Sequence, residues 1–320
     1  MRALVTGAAG FVGQWLCEAL VSRGWTVFGT RLGGDMPAGR LGPAERDAVH
    51  WLDCDVTHAS ALHSTLEAST PDAVFHLAGI AFVPAATADP AGTLEVNVLA
   101  AARLLADIGA RRQAGTLDPV VLVVGSGEQY GRHESVEQPL PESAEQRPLN
   151  PYAASKAAQE VVALAAHRST GVRVIVTRSF NHSGAGQSDR FLIPALVRRV
   201  RELRGPAHPG VLAMGNTSTV RDFLHVGDVV AAYISLAERG APGEAYNVAS
   251  GTGVAIDAVA RRVLALMDVD ATLEVDAALV RPVEVPILVG DARKVRAATG
   301  WAPRLSLDTI IEDVIRAAPL

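Results

Sequence analysis

Cysteine is nearly absent from this chain: its 320 residues include two, Cys17 and Cys54. Two thiols make neither a disulfide framework nor a zinc quartet. An excess of basic charge is also missing. Lys and Arg number 29 against 34 Asp and Glu, a net charge of −5, which leaves no electrostatic footprint for nucleic acid or a polybasic membrane contact. No apolar run approaches the ~20 residues of a membrane helix. The opening stretch Met1 to Gly13 is too interrupted by glycine for a signal peptide and reads as structure from its second residue. What is abundant is apolar. Hydrophobic residues make up 49% and charged residues 20%, a balance that builds a core and excludes disorder. The length suits one large α/β domain or two interlocked ones. A soluble, cytoplasmic protein with no nucleic-acid and no membrane partner is expected.

The first half reads as strands alternating with helices. Apolar strands are predicted at Arg2–Thr6, Thr26–Thr30, Val49–Leu52, Ala73–Leu77, Val120–Gly125 and Val172–Thr177. Helical spacing covers Phe11–Arg23, Ala59–Ala68, Leu94–Ala110 and Pro151–Thr170. Strands that are apolar throughout belong to a parallel sheet covered on both faces, so an α/β, doubly wound fold is expected. Gly33–Arg46 is the most loop-like stretch of this half. After about Ser179 the alternation loosens and Gly and Pro become frequent, with helices predicted at Ile193–Leu203, Val226–Arg239, Ile256–Met267 and Leu307–Ala317. This predicts a smaller, interleaved lobe: residues 1–178 plus about 220–250 as the larger half, about 179–219 and 251–320 as the smaller.

The turn after the first strand carries Gly7, Gly10 and Gly13. Gly7 permits a tight bend, Gly10 lets backbone approach a pyrophosphate, and Gly13 lets the helix pack on the strand. The helix N-terminus offers N–H groups and positive dipole charge to phosphates. The strand–turn–helix setting favours dinucleotide binding over a plain structural turn. The second strand runs into Arg31 rather than an acid. Arg suits a ribose 2′-phosphate, so NADP is favoured and NAD remains possible; a solvated loop residue is the competing reading. Asp55, followed by Val56, is placed either to accept from an adenine amino group or to cap a helix.

Tyr152 and Lys156 stand four apart at the start of a predicted helix, hence on one face. A phenol titrates near ~10, and a nearby ammonium favours its phenolate. Ser126, just past the end of an apolar strand, lies where parallel sheets bind ligands and can hydrogen-bond a substrate oxygen; a Ser in a Gly-rich turn is the plain alternative. His76, His133 and His225 show no metal spacing, and no metal site is expected.

Gly7, Gly10, Gly13, His76 to Gly79, Asn97, Ser126, Tyr152 and Lys156 occur together in this order. With Arg178 to His182, Arg221 to Asp228, Tyr246 to Gly251 and Gly300 to Pro303, they give a chain that resembles the extended short-chain dehydrogenase/reductase family of nucleotide-sugar epimerases, dehydratases and reductases. The resemblance covers nearly the whole chain and implies a Rossmann-type sheet with a substrate lobe. It implies Tyr152 as acid/base, Lys156 on the ribose and Ser126 completing the set. Gly7, Gly10, Phe11, Val12, Gly13, Asp55, Val56, Leu77, Ala78 and Gly79 would line the cofactor. Asn181 would touch the sugar nucleotide, and Arg221 and Arg281 its diphosphate or ribose. The long helices Leu94–Ala110 and Pro151–Thr170 resemble the pair through which members dimerise as a four-helix bundle.

The run from Phe180 to Gln187, followed by Phe191 to Pro194, is similar to the GDP-mannose branch of dehydratases and 4-keto-6-deoxymannose reductases. In that branch His182 lies near the cofactor. Residues 281–291 resemble the reductases, with Glu284 where those usually show Asp. Glu128, two residues after Ser126, occupies the place of a dehydratase acid, yet the reductases also carry an acid there. Ser rather than Thr at 126 and the few basic residues in Gly33–Arg46 favour a reductase of a GDP-4-keto-6-deoxyhexose. A dehydratase or epimerase is the alternative, and a non-catalytic NADP-binding sensor a further one that the intact Ser126, Tyr152 and Lys156 speak against.

Overall fold

The computed structural model describes residues 1–33, 39–203, 210–280 and 285–318. Its strands are β1 (Arg2–Thr6), β2 (Thr26–Arg31), β3 (Val49–Asp53), β4 (Ala73–His76), β5 (Val120–Ser126), β6 (Arg173–Ser179), β7 (Asn181–Ser183), β8 (Val211–Met214), β9 (Val220–His225), β10 (Ala245–Val248), β11 (Gly253–Ala255), β12 (Thr272–Val275) and β13 (Ile287–Leu288). The α-helices are α1 (Phe11–Ser22), α2 (Pro43–Asp47), α3 (Ala59–Ser69), α4 (Val83–Ala88), α5 (Pro90–Leu94), α6 (Ala100–Gln113), α7 (Pro151–Thr170), α8 (Leu192–Glu202), α9 (Val226–Arg239), α10 (Ile256–Leu266), α11 (Arg293–Thr299) and α12 (Leu307–Ala317).

Seven strands form one sheet in the order β10-β6-β5-β4-β1-β2-β3, and every neighbouring pair in it is parallel. Alternate side chains serve opposite faces, as the pleat requires. Ala3, Val5, Phe75, Leu122 and Ile175 pack against Leu16 and Leu20 of α1 and Val229, Tyr233 and Leu236 of α9. Leu4, Val74, Val121, Val123, Val174 and Val176 pack against α3, α6 and α7 through Leu62, Leu66, Leu104, Ile108 and Ala163. This Rossmann-type architecture agrees with the sequence. Strand order reverses between β1 and β4, and a ligand crevice opens beyond the carboxyl ends of strands at such a reversal.

The second half contains strands that the sequence pattern does not predict. β9 is the centre of a four-stranded sheet, antiparallel to β11 and parallel to β13 and β7. β12 pairs with β8. A third core of α8, α10 and α12 lies behind them, with Ile193, Leu196, Val197, Val259, Val263, Ile310 and Ile311 buried. The chain thus returns to the large sheet through α9 and β10, whereas β9 itself belongs to the small one.

Two local expectations are corrected. The helix expected over Leu94–Ala110 is interrupted: α5 gives way to a π-helical turn at Glu95–Leu99 before α6. The wider turn accompanies inward-facing Asn97, whose amide donates to Ile80 O (3.0 Å) and Ser155 Oγ (2.8 Å) and whose Oδ1 accepts from Ile80 N (2.8 Å). The described part of Gly33–Arg46 is not all loop, because α2 begins at Pro43, with Pro at a helix start where its missing N–H costs nothing.

Candidate active site

A cleft of about 1530 Å³ is lined by residues of the large sheet and of the smaller second half. At one end lies the turn after β1. Gly7 has φ +70°, and a Cβ there would stand 2.8 Å from Ala78 N. At Gly13 a Cβ would stand 2.3 Å from Gly7 O, so both positions demand the absence of a side chain. Gly10 differs: an added Cβ would meet only Gly7 O, at 3.2 Å. Gly10 is the N-cap of α1, no acidic side chain stands in the first turn, and this helix end opens onto the cleft. Thr30 Oγ1 accepts from Gly7 N (3.0 Å) and steadies the bend. Such a cradle fits the diphosphate of a dinucleotide.

Phe11, Val12, Arg31, Asp55, Val56, Leu77, Ala78 and Gly79 line the same end. Arg31 donates from Nε to Asp53 Oδ1 (2.8 Å), so its guanidinium is held at the rim by an acid from the neighbouring strand. Asp55 does not cap α3, whose N-cap is His58. Its Oδ1 accepts from Thr57 N (2.9 Å) and Thr57 Oγ1 (2.7 Å), and these bonds hold its carboxyl below the usual range.

Midway along the cleft, Asn150 caps α7 by accepting from Ala153 N (2.8 Å), and Pro151 opens the helix. Tyr152 therefore sits in the first turn and Lys156 one turn on, both lining the cleft with Ser126 and Glu128. Burial pushes the Tyr152 phenol up to about 12; a hydrogen bond with Ser126 opposes the shift and the Glu128 charge adds to it. Ser126 Oγ accepts from Glu128 N (3.2 Å), and Ser126 N donates to Gln129 Oε1 (3.2 Å). Lys156 Nζ donates to Val124 O (2.8 Å) and Gln159 Oε1 (2.9 Å), and burial lowers its own pKa to about 8. A phenol held up in this way is a proton donor at neutral pH.

On the far wall stand Asn181, His182 and Arg221. His182 stacks on Phe11 (6.4 Å between centroids, 11° between planes), its Nδ1 bonds to Phe180 O (2.9 Å), and burial lowers its pKa. Arg221 donates to Val220 O (2.9 Å). Arg281 lies outside the described residues. Among the described residues no group of three or more potential metal ligands occurs, and no helix is long and apolar enough to cross a membrane.

The sequence matches, over residues 4–314, the family model described as GDP-mannose 4,6 dehydratase. The chain belongs to that family. A GDP-6-deoxy-D-mannose reductase from Pseudomonas aeruginosa is 35% identical over 245 residues, 77% of this chain and 79% of the relative. The solved structure of RMD from Pseudomonas aeruginosa complexed with NADPH matches with a TM-score of 0.82 and 30% identity, covering 99% of this chain and 98% of that one. A UDP-glucose 4-epimerase from Thermus thermophilus, in complex with NAD, matches with a TM-score of 0.85 and 27% identity over 99% of this chain and 98% of that one.

Several lining residues of this family member escaped the sequence reading. Arg190 lies over the Phe82 ring (5.3 Å), Phe82 meets Phe191 edge-on (5.9 Å), and Arg199 bonds to Ala213 O. All four line the cleft. One signal was available. Leu192, Leu196 and Arg199 fall at i, i+4 and i+7, so a cation interrupts an otherwise apolar helical stripe.

Proposed function

We propose that the chain reduces the C4 ketone of a GDP-4-keto-6-deoxyhexose, with NADPH as reductant. The observation that carries this reading is one cleft lined by the glycine cradle, by Ser126, Tyr152 and Lys156, and by Asn181 and Arg221. The 35% identity to a GDP-6-deoxy-D-mannose reductase supports the substrate class. The NADPH in the RMD structure, together with Arg31 at the rim, supports the cofactor, with NAD as a second choice.

NADPH, when bound, supplies a hydride to the ketone carbon. The protein supplies the rest. The α1 N-terminus and Gly7 to Gly13 receive the diphosphate, Asp55 and Val56 bound the adenosine side, and Leu77, Ala78 and Gly79 line the cofactor as it runs towards Lys156. Lys156 donates to ribose hydroxyls. Ser126 donates a hydrogen bond to the C4 oxygen, and Tyr152 gives it a proton to complete the alcohol. Asn181 contacts the sugar nucleotide, and the Arg221 guanidinium meets its diphosphate. His182, stacked on Phe11, closes the cofactor side.

Glu128 faces the cleft beside Tyr152, and this favours a dehydratase as the second reading. Two parallel reactions followed by mass spectrometry separate them. A gain of two hydrogens by GDP-4-keto-6-deoxymannose, with NADPH oxidised, supports the reductase. Loss of water from GDP-mannose with NADP, without net cofactor change, assigns the dehydratase and makes Glu128→Gln crippling. Silence in both removes the GDP-sugar reading.

We also propose a cytoplasmic homodimer through a four-helix bundle. The outward faces of α6 and α7 are small and apolar: Leu99 just before α6 (44% exposed) with Ala106 and Ala110, and Val161 (64% exposed) with Ala154 and Ala165. These two helices pack side by side, so a second copy can cover both stripes.

A further inference from the structure

Gln159 follows Lys156 by three residues on α7 and is fully buried. Its Oε1 accepts from Lys156 Nζ at 2.9 Å. The orientation of the amide is fixed by that neighbour, because an ammonium only donates. The other end of the amide, Nε2, is buried with no hydrogen-bond partner. An unpaired buried amide is costly, and an apolar side chain of the same shape would avoid that cost. Packing therefore does not account for a glutamine here; the carbonyl facing Lys156 does.

Counting donors gives the consequence. The Lys156 ammonium has three N–H groups. One goes to Val124 O and one to Gln159 Oε1. One is left, and Lys156 lines the cleft beside Gly79, where an added Cβ would stand 3.5 Å from Nζ. Loss of the proton leaves an amine with only two N–H groups, both already committed.

We propose that Gln159 is a positioning residue: with the backbone carbonyl of Val124 it anchors Lys156 so that the remaining N–H faces the ribose of the nicotinamide cofactor. This rests on the cofactor reading above. The titratable neighbour that feels Lys156 from the sheet is His76 on β4, which burial keeps neutral, with its pKa lowered to about 3. From the helix itself Tyr152 stays a neutral phenol below about 12. Neither contributes a charge that could replace Gln159 as the anchor.

The test is NADPH binding, followed by fluorescence titration without substrate at pH 7 and pH 9, with thermal unfolding as the fold control. Gln159→Met keeps shape and loses the carbonyl. It is expected to weaken NADPH at pH 7 by about tenfold, the loss of one hydrogen bond to a charged group, while unfolding near the wild-type temperature. Gln159→Glu restores an acceptor and adds charge. It should bind NADPH within about twofold of wild type at pH 7 by this bond count and retain binding to higher pH than wild type. Wild-type affinity in Gln159→Met at both pH values overturns the proposal, as does failure of Gln159→Glu to restore binding. Should Gln159→Met fold poorly, the alkaline behaviour of Gln159→Glu decides alone. Wild-type protein that binds neither NADPH nor NADH overturns the cofactor reading instead, and this inference with it.

Discussion

Glu160→Gln is the most informative single perturbation of the fold beneath the site. Glu160 is buried in α7, and its carboxylate accepts from Arg178 Nη2 (2.5 Å), Arg178 Nε (2.9 Å), Gln129 Nε2 (2.6 Å) and Gln146 Nε2 (2.8 Å). Arg178, equally buried on β6, also donates to the Tyr130 hydroxyl (2.8 Å) and Glu142 O (2.9 Å) and lies over the Tyr130 ring (4.9 Å), none of which carries a counter-charge. Neutralising Glu160 leaves a buried guanidinium without a counter-charge, and breaking such a pair costs about 3–5 kcal/mol. That is a large fraction of the roughly 5–15 kcal/mol by which domains are stable. Arg178→Met is expected to cost less, because Glu160 keeps its two glutamine donors. The double replacement Glu160→Met with Arg178→Met should recover much of the loss, since no charge is then buried alone. Urea unfolding of the three variants gives the ranking. A Glu160→Gln loss below about 1 kcal/mol, the level of an exposed pair, would refute the reasoning. The same network reaches the site, because Gln129 joins Glu160 to the Ser126 backbone.

Three further outcomes are expected. Tyr152→Phe should lower turnover about 10²–10⁴-fold, the usual contribution of a positioned acid, with NADPH affinity retained; steady-state rates and a binding titration check both halves. Val161→Glu places a charge on the exposed α7 stripe and should convert a dimer to monomer by light scattering, whereas a monomeric wild type refutes the bundle. His76 is neutral when folded, with a pKa near 3, but takes a proton near ~6.5 when unfolded. The unfolded state therefore binds the extra proton between those values, and stability falls as pH drops from about 6.5 towards 3, by up to about 1.4 kcal/mol per unit. His76→Asn should show a shallower acid limb in unfolding experiments, and an unchanged limb counts against this account.

Six of the seven strands of the large sheet were legible, because most of them are buried on both faces and read as apolar runs; β10, where Tyr246 and Asn247 leave no such run, was not. The helices ended where glycine or proline ends them: α7 and α9 fall where their spacing predicts. The small-lobe strands were not legible. β7, β11 and β13 have three, three and two residues, too short for an alternation to show, and their partner β9 is distant in sequence. The π-turn was hidden because its cause, Asn97 reaching Ile80 and Ser155, is tertiary. For the site, spacing brought Tyr152 and Lys156 to one face but could not reveal that Val124 O and Gln159 Oε1 hold the ammonium. The capping option for Asp55 failed because His58 lies closer to the helix.

β6 ends at Ser179 and β7 begins at Asn181, so a single residue, Phe180, separates a strand of the large sheet from a strand of the small one. The chain recrosses at α9 to β10 and again from β10 to β11. Lobes joined this way cannot be exchanged as a cassette. A chimaera that took its small lobe from a relative would need a junction at each crossing, each placed against a paired strand. New substrate preferences in such a scaffold are therefore reached by replacing side chains along the cleft wall, not by trading whole lobes.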